Sequence, residues 1–427
     1  MVVSLMDGGM GGRIDRRRAL AAGGAAALAG LLPGRSARGA ARELKVAMMA
    51  VSGQQRTILI ETMEGFERRH REIIVRFDQL EHETYKERFE QLAGMGGYDV
   101  MFWFGGERLA AAVQAGLVRA AEEVPGSEPW RGRFPRAIAT ATEVDGRAFA
   151  LPLSYYNWGF YYPRPLFDRL GLAPPRSWDG LLETGERLQA AGVVPFALGS
   201  RFPWTLAGWY DYLDLRLNGL AHHLAQLRGE RSFDLPETRR VLETWGGLFR
   251  RGWFPPDHAE MDWRGALPGL MRGHAGMVLM GNFIVSQLPP AQRAVLGYFP
   301  FPEMDPAVPR AENAPTDVLI VPRAATNLRE AGLFLSYMAE PDVQARFNGA
   351  IGQLAPRAGA EPPGDPLLRA GAETVAAAAG VAQFFDRDAR PAIRDAGLAA
   401  FAAFSRDPGR VEETVAALEQ ARLSITR

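Results

Sequence analysis

The chain of 427 residues contains no cysteine. This absence excludes disulfide bridges, thiolate catalysis and cysteine-ligated metal centres. It also removes the lipid-modified cysteine of a bacterial lipoprotein signal, so we expect any exported form to lack a lipid anchor. Lysine is nearly absent as well, because only Lys45 and Lys86 among the 49 basic residues are lysines. Since arginine replaces lysine almost everywhere, a single arginine is weak evidence for a functional role.

The chain also lacks net charge, since 49 basic residues balance 49 acidic ones. No overall field therefore attracts nucleic acid or an anionic membrane. The sequence has no G-x-S-x-G, H-E-x-x-H, P-loop or dinucleotide motif, and its six histidines show no metal-ligand spacing. We therefore expect no cofactor, no bound metal and no catalytic residue.

The first 41 residues predict an export signal. Arg16–Arg18 precede a weakly apolar, Ala- and Gly-rich run that ends at Leu32, which is typical of twin-arginine signals. The run is shorter than the roughly 20 residues that a membrane-spanning helix needs, and cleavage is expected between Gly39 and Ala41. A flexible Ala-rich N-terminus is the alternative. No later run is long enough to span a membrane, so we expect a soluble periplasmic protein.

Beyond this signal, predicted strands alternate with helices, which indicates an α/β fold with a parallel sheet. The strands are predicted at Glu43–Val51, Ile73–Leu80 and Tyr98–Phe104, with helices at Thr57–Arg71 and Tyr85–Ala93 between them. Ligands of such sheets lie beyond the carboxyl ends of the strands. A second α/β unit follows, and Ser177 is the expected N-cap of its first helix. The C-terminal part is predicted to be helical.

Residues 155–162 contain six aromatic rings. Tyrosine and tryptophan combine an apolar face with a polar tip, which suits a sugar ring with its C–H face and hydroxyl groups. A buried strand with aromatic packing explains the same run equally well. The run alone does not decide between the two interpretations.

Four segments resemble a known family in the same order along the chain. They are Tyr98–Arg108, Asp145–Asp168, Gly265–Phe283, and Ala314–Pro322 followed by Glu340–Val343. Each segment alone is a loose match, but the ordered set is specific and spans nearly the whole chain after the signal. The sequence resembles the family 1 extracellular solute-binding proteins, the carbohydrate-binding subunits of ABC importers, related in the broad sense to maltose-binding proteins.

The resemblance implies a two-lobed periplasmic-binding-protein fold with crossing hinge segments and a C-terminal helical segment. The first lobe would combine residues 42–151 with 319–356, and the second 152–318 with 357–427. The crossings are expected near Pro152–Asn157, Thr316–Val318 and Pro356. Ligand would close the cleft by hinge motion, and the permease subunits of the importer would then bind the closed monomer.

The candidate ligand-binding residues combine aromatic rings for stacking with polar groups for sugar hydroxyls. They are Glu81, Trp103, Tyr155, Tyr156, Asn157, Trp204, Trp209, Asp211, Trp263, Asn282, Phe283, Asp317, Asp386 and Arg387. These residues favour a neutral sugar or a short oligosaccharide. Two alternatives stay open: an anionic sugar derivative or sugar phosphate held by Arg108, Arg201 and Arg387, and an exported carbohydrate-active enzyme.

Overall fold

A computed structural model describes residues 42–49, 53–126 and 132–425. The predicted export signal, its cleavage region and the end of the first predicted strand at Val51 lie outside these residues. The strands are β1 Arg42–Met49, β2 Ile73–Leu80, β3 Val100–Phe104, β4 Glu143–Val144, β5 Arg147–Ala148, β6 Ala150–Tyr155, β7 Trp158–Pro163, β8 Val194–Phe196, β9 Ala275–Gly281, β10 Leu296–Phe299, β11 Ala311–Asn313, β12 Thr316–Ile320 and β13 Gly380–Ala382.

The helices surround these strands. They are α1 Gly53–Arg69, α2 His82–Gly94, α3 Glu107–Gln114, α4 Arg136–Ala139, α5 Arg164–Leu170, α6 Trp178–Ala190, α7 Trp204–Leu217, α8 Leu220–Leu227, α9 Pro236–Arg250, α10 Trp263–Met271, α11 Pro290–Arg293, α12 Leu328–Met338, α13 Pro341–Ile351, α14 Pro366–Ala376, α15 Phe385–Asp388, α16 Pro391–Arg406 and α17 Val411–Ile425. Within the described ranges, no helix has both the length and the apolar character needed to cross a bilayer.

The first sheet has the strand order β2-β1-β3-β12-β6. β1 pairs in parallel with both β2 and β3, as the alternation of strands and helices predicts. β12 joins from a late part of the chain and runs antiparallel to β3 and β6. One hydrophobic core packs on this sheet, and its residues come from 44–153 and 318–351.

The second sheet has the order β10-β7-β9-β8 and carries its own hydrophobic core. That core draws on residues 156–301 and 354–418. The chain therefore forms an α/β fold of two lobes, each with a sheet and a core.

The aromatic run is divided between two strands, and the break falls near the crossing expected at Pro152–Asn157. β6 belongs to the first sheet and β7 to the second, and the chain passes between them at Tyr156 and Asn157. Tyr156 donates its backbone N–H to Pro315, and the carbonyl of Asn157 accepts from Asn282. The ladder partner thus changes within two residues, at Tyr156 and Asn157.

The helix ends follow local chemistry. Ser177 caps α6 as predicted, because its Oγ accepts a hydrogen bond from the N–H of Gly180 at 3.2 Å. α14 begins at Pro366. Proline is well tolerated in the first turn of a helix, and the Asp365 side chain caps it.

Candidate functional site

Three segments of chain pass between the lobes side by side. Tyr155 and Leu354 exchange backbone hydrogen bonds of 3.0 and 2.9 Å, and Asp317 pairs with Ser154 in the ladder of β12 and β6. The segments around residues 154–157, 315–317 and 353–354 therefore form a common floor between the lobes. Polar side chains on this floor lie within reach of both lobes.

An open cavity lies above this floor. Its free volume, including the open mouth, is about 880 Å³. It is lined by Met49, Gln55, Glu81, His82, Glu83, Lys86, Phe104, Tyr156, Trp158, Phe202, Trp204, Asp262, Trp263, Arg264, Phe283, Asp317, Gln353, Phe384, Asp386 and Arg387.

One side of the cavity is an aromatic wall, which consists of Trp158, Trp204, Trp263, Phe283 and Phe384. The ring centroids of Trp158 and Trp204 are 5.9 Å apart, and those of Trp263 and Phe283 are 5.3 Å apart, both in edge-to-face geometry. Phe384 stacks on Trp158 at 4.7 Å. Such contacts hold the rings in fixed orientations, so the wall offers preformed apolar faces to a ligand.

Three residues of the aromatic wall lie at or next to the ends of helices and strands. Trp204 begins α7 and Trp263 begins α10. Asp262 fixes the start of α10, because its Oδ1 accepts from the N–H of Gly265 at 2.9 Å. Phe283 follows β9 on the turn after Gly281. The rings therefore lie on segments that the core of the second lobe holds in place.

Asp317 and Arg387 form a buried ion pair at the floor. Nη1 of Arg387 lies 2.9 Å from Oδ1 of Asp317, and its Nη2 donates to the hydroxyl of Tyr156 at 2.6 Å. The guanidinium also lies 4.4 Å from the ring centroid of Phe104. Burial lowers the pKa of Arg387, but Tyr156 and the neighbouring carboxylates outweigh it and raise that pKa overall. Arg387 is therefore a cation whose charge is already neutralised.

Asp386 is held by cations of the first lobe. Its Oδ2 lies 3.1 Å from Nη2 of Arg108 and 3.9 Å from Nζ of Lys86. Burial raises the pKa of Asp386, but the charges of Arg108, Lys86 and Arg387 outweigh it and lower the pKa to about 2. Asp386 is therefore an ionised hydrogen-bond acceptor at neutral pH.

The other cations that line the cavity are also paired. Lys86 lies 3.1 Å from Glu83, and Arg264 lies 3.8 Å from Asp262. Burial raises the pKa of Glu83, yet its contacts with His82 and Lys86 lower it to about 2. Each Lys or Arg that lines the cavity in the described ranges thus has a carboxylate partner.

Eight of the fourteen candidate residues line this cavity. They are Glu81, Tyr156, Trp204, Trp263, Phe283, Asp317, Asp386 and Arg387. The carboxylate of Glu81 also caps α2 by accepting from the N–H groups of Glu83 and Thr84.

The expectation that Trp103 faces the ligand does not agree with its position in the first core. Its ring stacks on Phe89 at 3.4 Å, and its Nε1 donates to the carbonyl of Arg108. Successive side chains of a strand point to opposite faces, so the next residue, Phe104, reaches the cavity instead.

Trp209 and Asp211 lie in the second core, also away from the cavity. Trp209 follows Trp204 by five helical positions, or about 140° around α7, and it packs on Phe160 and Phe196. The two rings therefore cannot flank one pocket. Asp211 bonds to backbone and side-chain groups inside the lobe.

Tyr155, Asn157 and Asn282 lie at the crossings but do not line the cavity. The backbone of Tyr155 pairs with Leu354, and the side chain of Asn157 donates to the hydroxyl of Tyr298 at 2.9 Å. Asn282 is fully buried, and its backbone joins the first crossing. Of the three candidates at the turn between β6 and β7, Tyr155, Tyr156 and Asn157, only Tyr156 lines the cavity.

Sequence reasoning missed several lining residues. Phe104, Trp158 and Phe384 lie within two positions of candidate residues along the chain. The prediction therefore reached the right segment but selected a neighbouring residue. His82, Glu83 and Lys86 follow the carboxyl end of β2, where ligand contacts were expected.

Within the described residues there is no group of three or more His, Asp or Glu side chains that could hold a metal ion.

Comparisons with known proteins agree with this geometry. Residues 51–345 match the bacterial extracellular solute-binding protein family. An uncharacterized ABC transporter extracellular-binding protein of Pyrococcus horikoshii is 26% identical over 56% of this chain and 54% of its own length. A multiple sugar-binding protein of Streptococcus mutans is 23% identical over 49% of this chain and 51% of its own length. The chain thus spans about half the length of these two curated relatives.

Among solved structures, the bacterial solute receptor AcbH superimposes with a TM-score of 0.86 at 21% identity, covering 91% of this chain and 100% of that receptor. AcbH has an exclusive substrate preference for β-D-galactopyranose. At this identity the similarity establishes the two-lobed fold alone. The family match covers well over half of the sequence and describes binding proteins, not enzymes. The chain therefore belongs to the bacterial extracellular solute-binding protein family.

Proposed function

We propose that the protein is the solute-binding subunit of an ABC importer and captures a neutral sugar or short oligosaccharide between its lobes. The observation that carries this proposal is the combination of an aromatic wall with lining cations that each have a carboxylate partner. The rings cover the apolar face of a sugar, and Asp386 and Asp317 accept hydrogen bonds from its hydroxyls. The names of the sugar-binding relatives support the same ligand class.

The pairing of the cations argues against an anionic ligand. An anion needs convergent cationic donors that are not already neutralised. Arg387 is paired with Asp317, Arg108 with Asp386, and Lys86 with Glu83. Arg201, the third member of the expected arginine cluster, is not among the lining residues and donates to the carbonyl of Glu260. An anion would have to displace an existing carboxylate from each pair.

The remaining parts of the proposal follow from the family. We propose lobes of residues 42–151 with 319–356 and 152–318 with 357–427, closing by hinge motion around the three crossings. The closed monomer would dock on the permease subunits of the importer. Export by a twin-arginine signal to the periplasm, without a lipid anchor, belongs to the same proposal.

A thermal-shift screen tests the ligand class. The purified protein is heated with neutral sugars, polyols, uronates and sugar phosphates at matched concentrations. A ligand at about 100 times its dissociation constant adds about 2.7 kcal/mol of stability. We expect a shift with a neutral sugar and none with its phosphorylated form. A shift confined to the anionic members would contradict the proposal.

A further inference from the structure

A buried histidine lies behind the cavity, in the core of the second lobe. His223 on α8 has no exposed surface. Its Nδ1 is 2.7 Å from Oδ2 of Asp214, and its Nε2 is 3.4 Å from Oδ1 of Asp211, both on α7. Among the described residues, neither that Nε2 nor that Oδ1 has a hydrogen-bond partner. The charge of the His223 imidazolium therefore favours the ionised form of the buried Asp211 side chain.

Asp211 connects this histidine to the cavity. Its Oδ2 accepts hydrogen bonds from the backbone N–H of Phe385 at 2.8 Å and from the side chain of Asn313 at 3.1 Å. Phe385 directly precedes Asp386 and Arg387, which line the cavity. The carboxylate thus fixes the backbone from which both side chains extend.

The backbone at this place is strained. Phe384 has φ 151° and ψ 150°, close to a region that is otherwise occupied almost only by glycine. Such a conformation persists only where the surroundings over-determine it. Here the N–H of Phe385 bonds to Asp211, and the N–H of Gln383 bonds to Oδ2 of Asp388 at 2.7 Å. We call residues 383–388 the site turn.

We propose that His223 is a positioning residue whose imidazolium, held between Asp211 and Asp214, keeps Asp211 bonded to the site turn and so holds Asp386 and Arg387 at the cavity. The role of those two side chains in ligand capture rests on the proposed function. The support of the site turn by His223 does not, because it can be measured without ligand.

The charged groups around His223 give this support a pH dependence. Asp211 and Asp214 face it from α7, Asp388 from the site turn, and His222 from its own helix. β13, which lies beside α8, contains no titratable residue. Burial lowers the pKa of His223, but the carboxylates outweigh it and raise that pKa overall.

The pKa values of Asp211 and Asp388 are raised as well. Burial raises the pKa of Asp211 to about 7 and that of Asp388 to about 6. All three groups bind protons more tightly in the folded protein. The support is therefore complete at low pH and is lost as the pH rises through these pKa values.

Hydrogen exchange with mass spectrometry tests the proposal on the full, ligand-free chain. Peptides that cover the site turn are followed at about pH 5.5 and about pH 8.5, with rates corrected for intrinsic exchange. The variants are His223→Gln and Asp211→Asn. His258→Gln is the matched control, because His258 is also buried in this lobe but bonds to Ser200 instead.

We expect protection of the site turn to fall about tenfold in the wild type and in His258→Gln at the higher pH, because His223 loses its proton and leaves the buried carboxylate of Asp211 without a compensating cation. His223→Gln should show the low protection at both values, and Asp211→Asn should lose the pH dependence. A folded His223→Gln protein would overturn the proposal if its site turn kept the wild-type protection and the wild-type dependence of protection on pH. If His223→Gln does not fold, an unchanged pH dependence of protection in Asp211→Asn would overturn it. Neither result depends on the sugar screen.

Discussion

At the scale of single residues, Asp317 joins the cavity to all three crossings. Its Oδ1 pairs with Arg387, while its Oδ2 accepts from Ser154 at 3.4 Å and from Gln353 at 3.1 Å. A buried carboxylate is costly unless it is fully paired. Its position is therefore defined only when the three crossings and the site turn meet, so a ligand that contacts Asp317 would touch the residue that joins them.

The aromatic wall gives a direct prediction about affinity. Trp204→Ala should weaken binding of a neutral sugar by about 1–2 kcal/mol, or about 5- to 30-fold, because one stacking face is lost. The ring also packs on Trp158, Trp263 and Phe283, so the melting temperature should fall as well and is measured alongside the affinity. Calorimetric titration measures the dissociation constant.

Trp178→Ala is the matched control, because Trp178 is half-buried in the same lobe, stacks on Phe301 and does not line the cavity. Equal affinity in the wild type and Trp204→Ala would contradict a stacking role for this wall.

Some residues of the site could be predicted and others not, for a physical reason. The sequence indicates that the carboxyl end of β3 borders the site. Because β3 has apolar residues on both faces, the sequence does not tell which face packs on the core. Trp103 and Phe104 differ by one position and point in opposite directions. Charge did not resolve such choices either: Asp386 lines the cavity, whereas Asp211 is turned into the core of the second lobe.

At the scale of elements, the start of α10 is fixed by a close approach of two backbones. A Cβ on Gly199 would lie 2.0 Å from the carbonyl oxygen of Asp262 and 2.9 Å from the N of Trp263. Because both atoms belong to the backbone, no side-chain rotation relieves the contact. Gly199 thus determines where the ring of Trp263 enters the cavity.

Gly199→Ala should therefore weaken sugar binding about tenfold or more and lower the unfolding free energy by about 1–3 kcal/mol. Gly269→Ala is the control within α10 itself, where a new Cβ has open space, and it should stabilise the helix by about 0.5–1 kcal/mol. Denaturant titration and calorimetry measure both effects. A Gly199→Ala protein with wild-type affinity would show that α10 is not held by this contact.

Element prediction worked where local signals exist. The alternation that leads to β1, β2 and β3 and the serine that caps α6 are both encoded in neighbouring residues. The break between β6 and β7 is set instead by distant partners, Pro315 and Asn282. Local propensity does not mark such long-range pairing, and only the family resemblance placed a crossing near Pro152–Asn157.

At the scale of the whole molecule, the buried charges set the pH range of stability. His223, Asp211 and Asp388 have raised pKa values, so the stability they confer is lost as the pH rises from about 4 through 7 and above. Asp386 and Glu83 have pKa values lowered to about 2, so their contribution is lost as the pH falls from about 4 to 2. Maximal stability should lie near pH 5.

Melting temperatures measured from about pH 3 to about pH 9 check this profile. We expect a decrease of about 5 °C from the maximum to the alkaline end, and a flatter alkaline side in Asp211→Asn. A melting temperature that rises steadily to pH 8 would mean that these carboxylates are not buried with raised pKa values.

The central claim is that the cavity holds a neutral sugar between an aromatic wall and paired charges. Native mass spectrometry of the protein incubated with an equimolar mixture of neutral sugars, uronates and sugar phosphates tests it directly, because the added mass identifies the bound compound. The account predicts one adduct with the unchanged mass of a neutral sugar, which is lost or strongly reduced in Trp204→Ala. A uronate or sugar-phosphate adduct that persists in Trp204→Ala would contradict it.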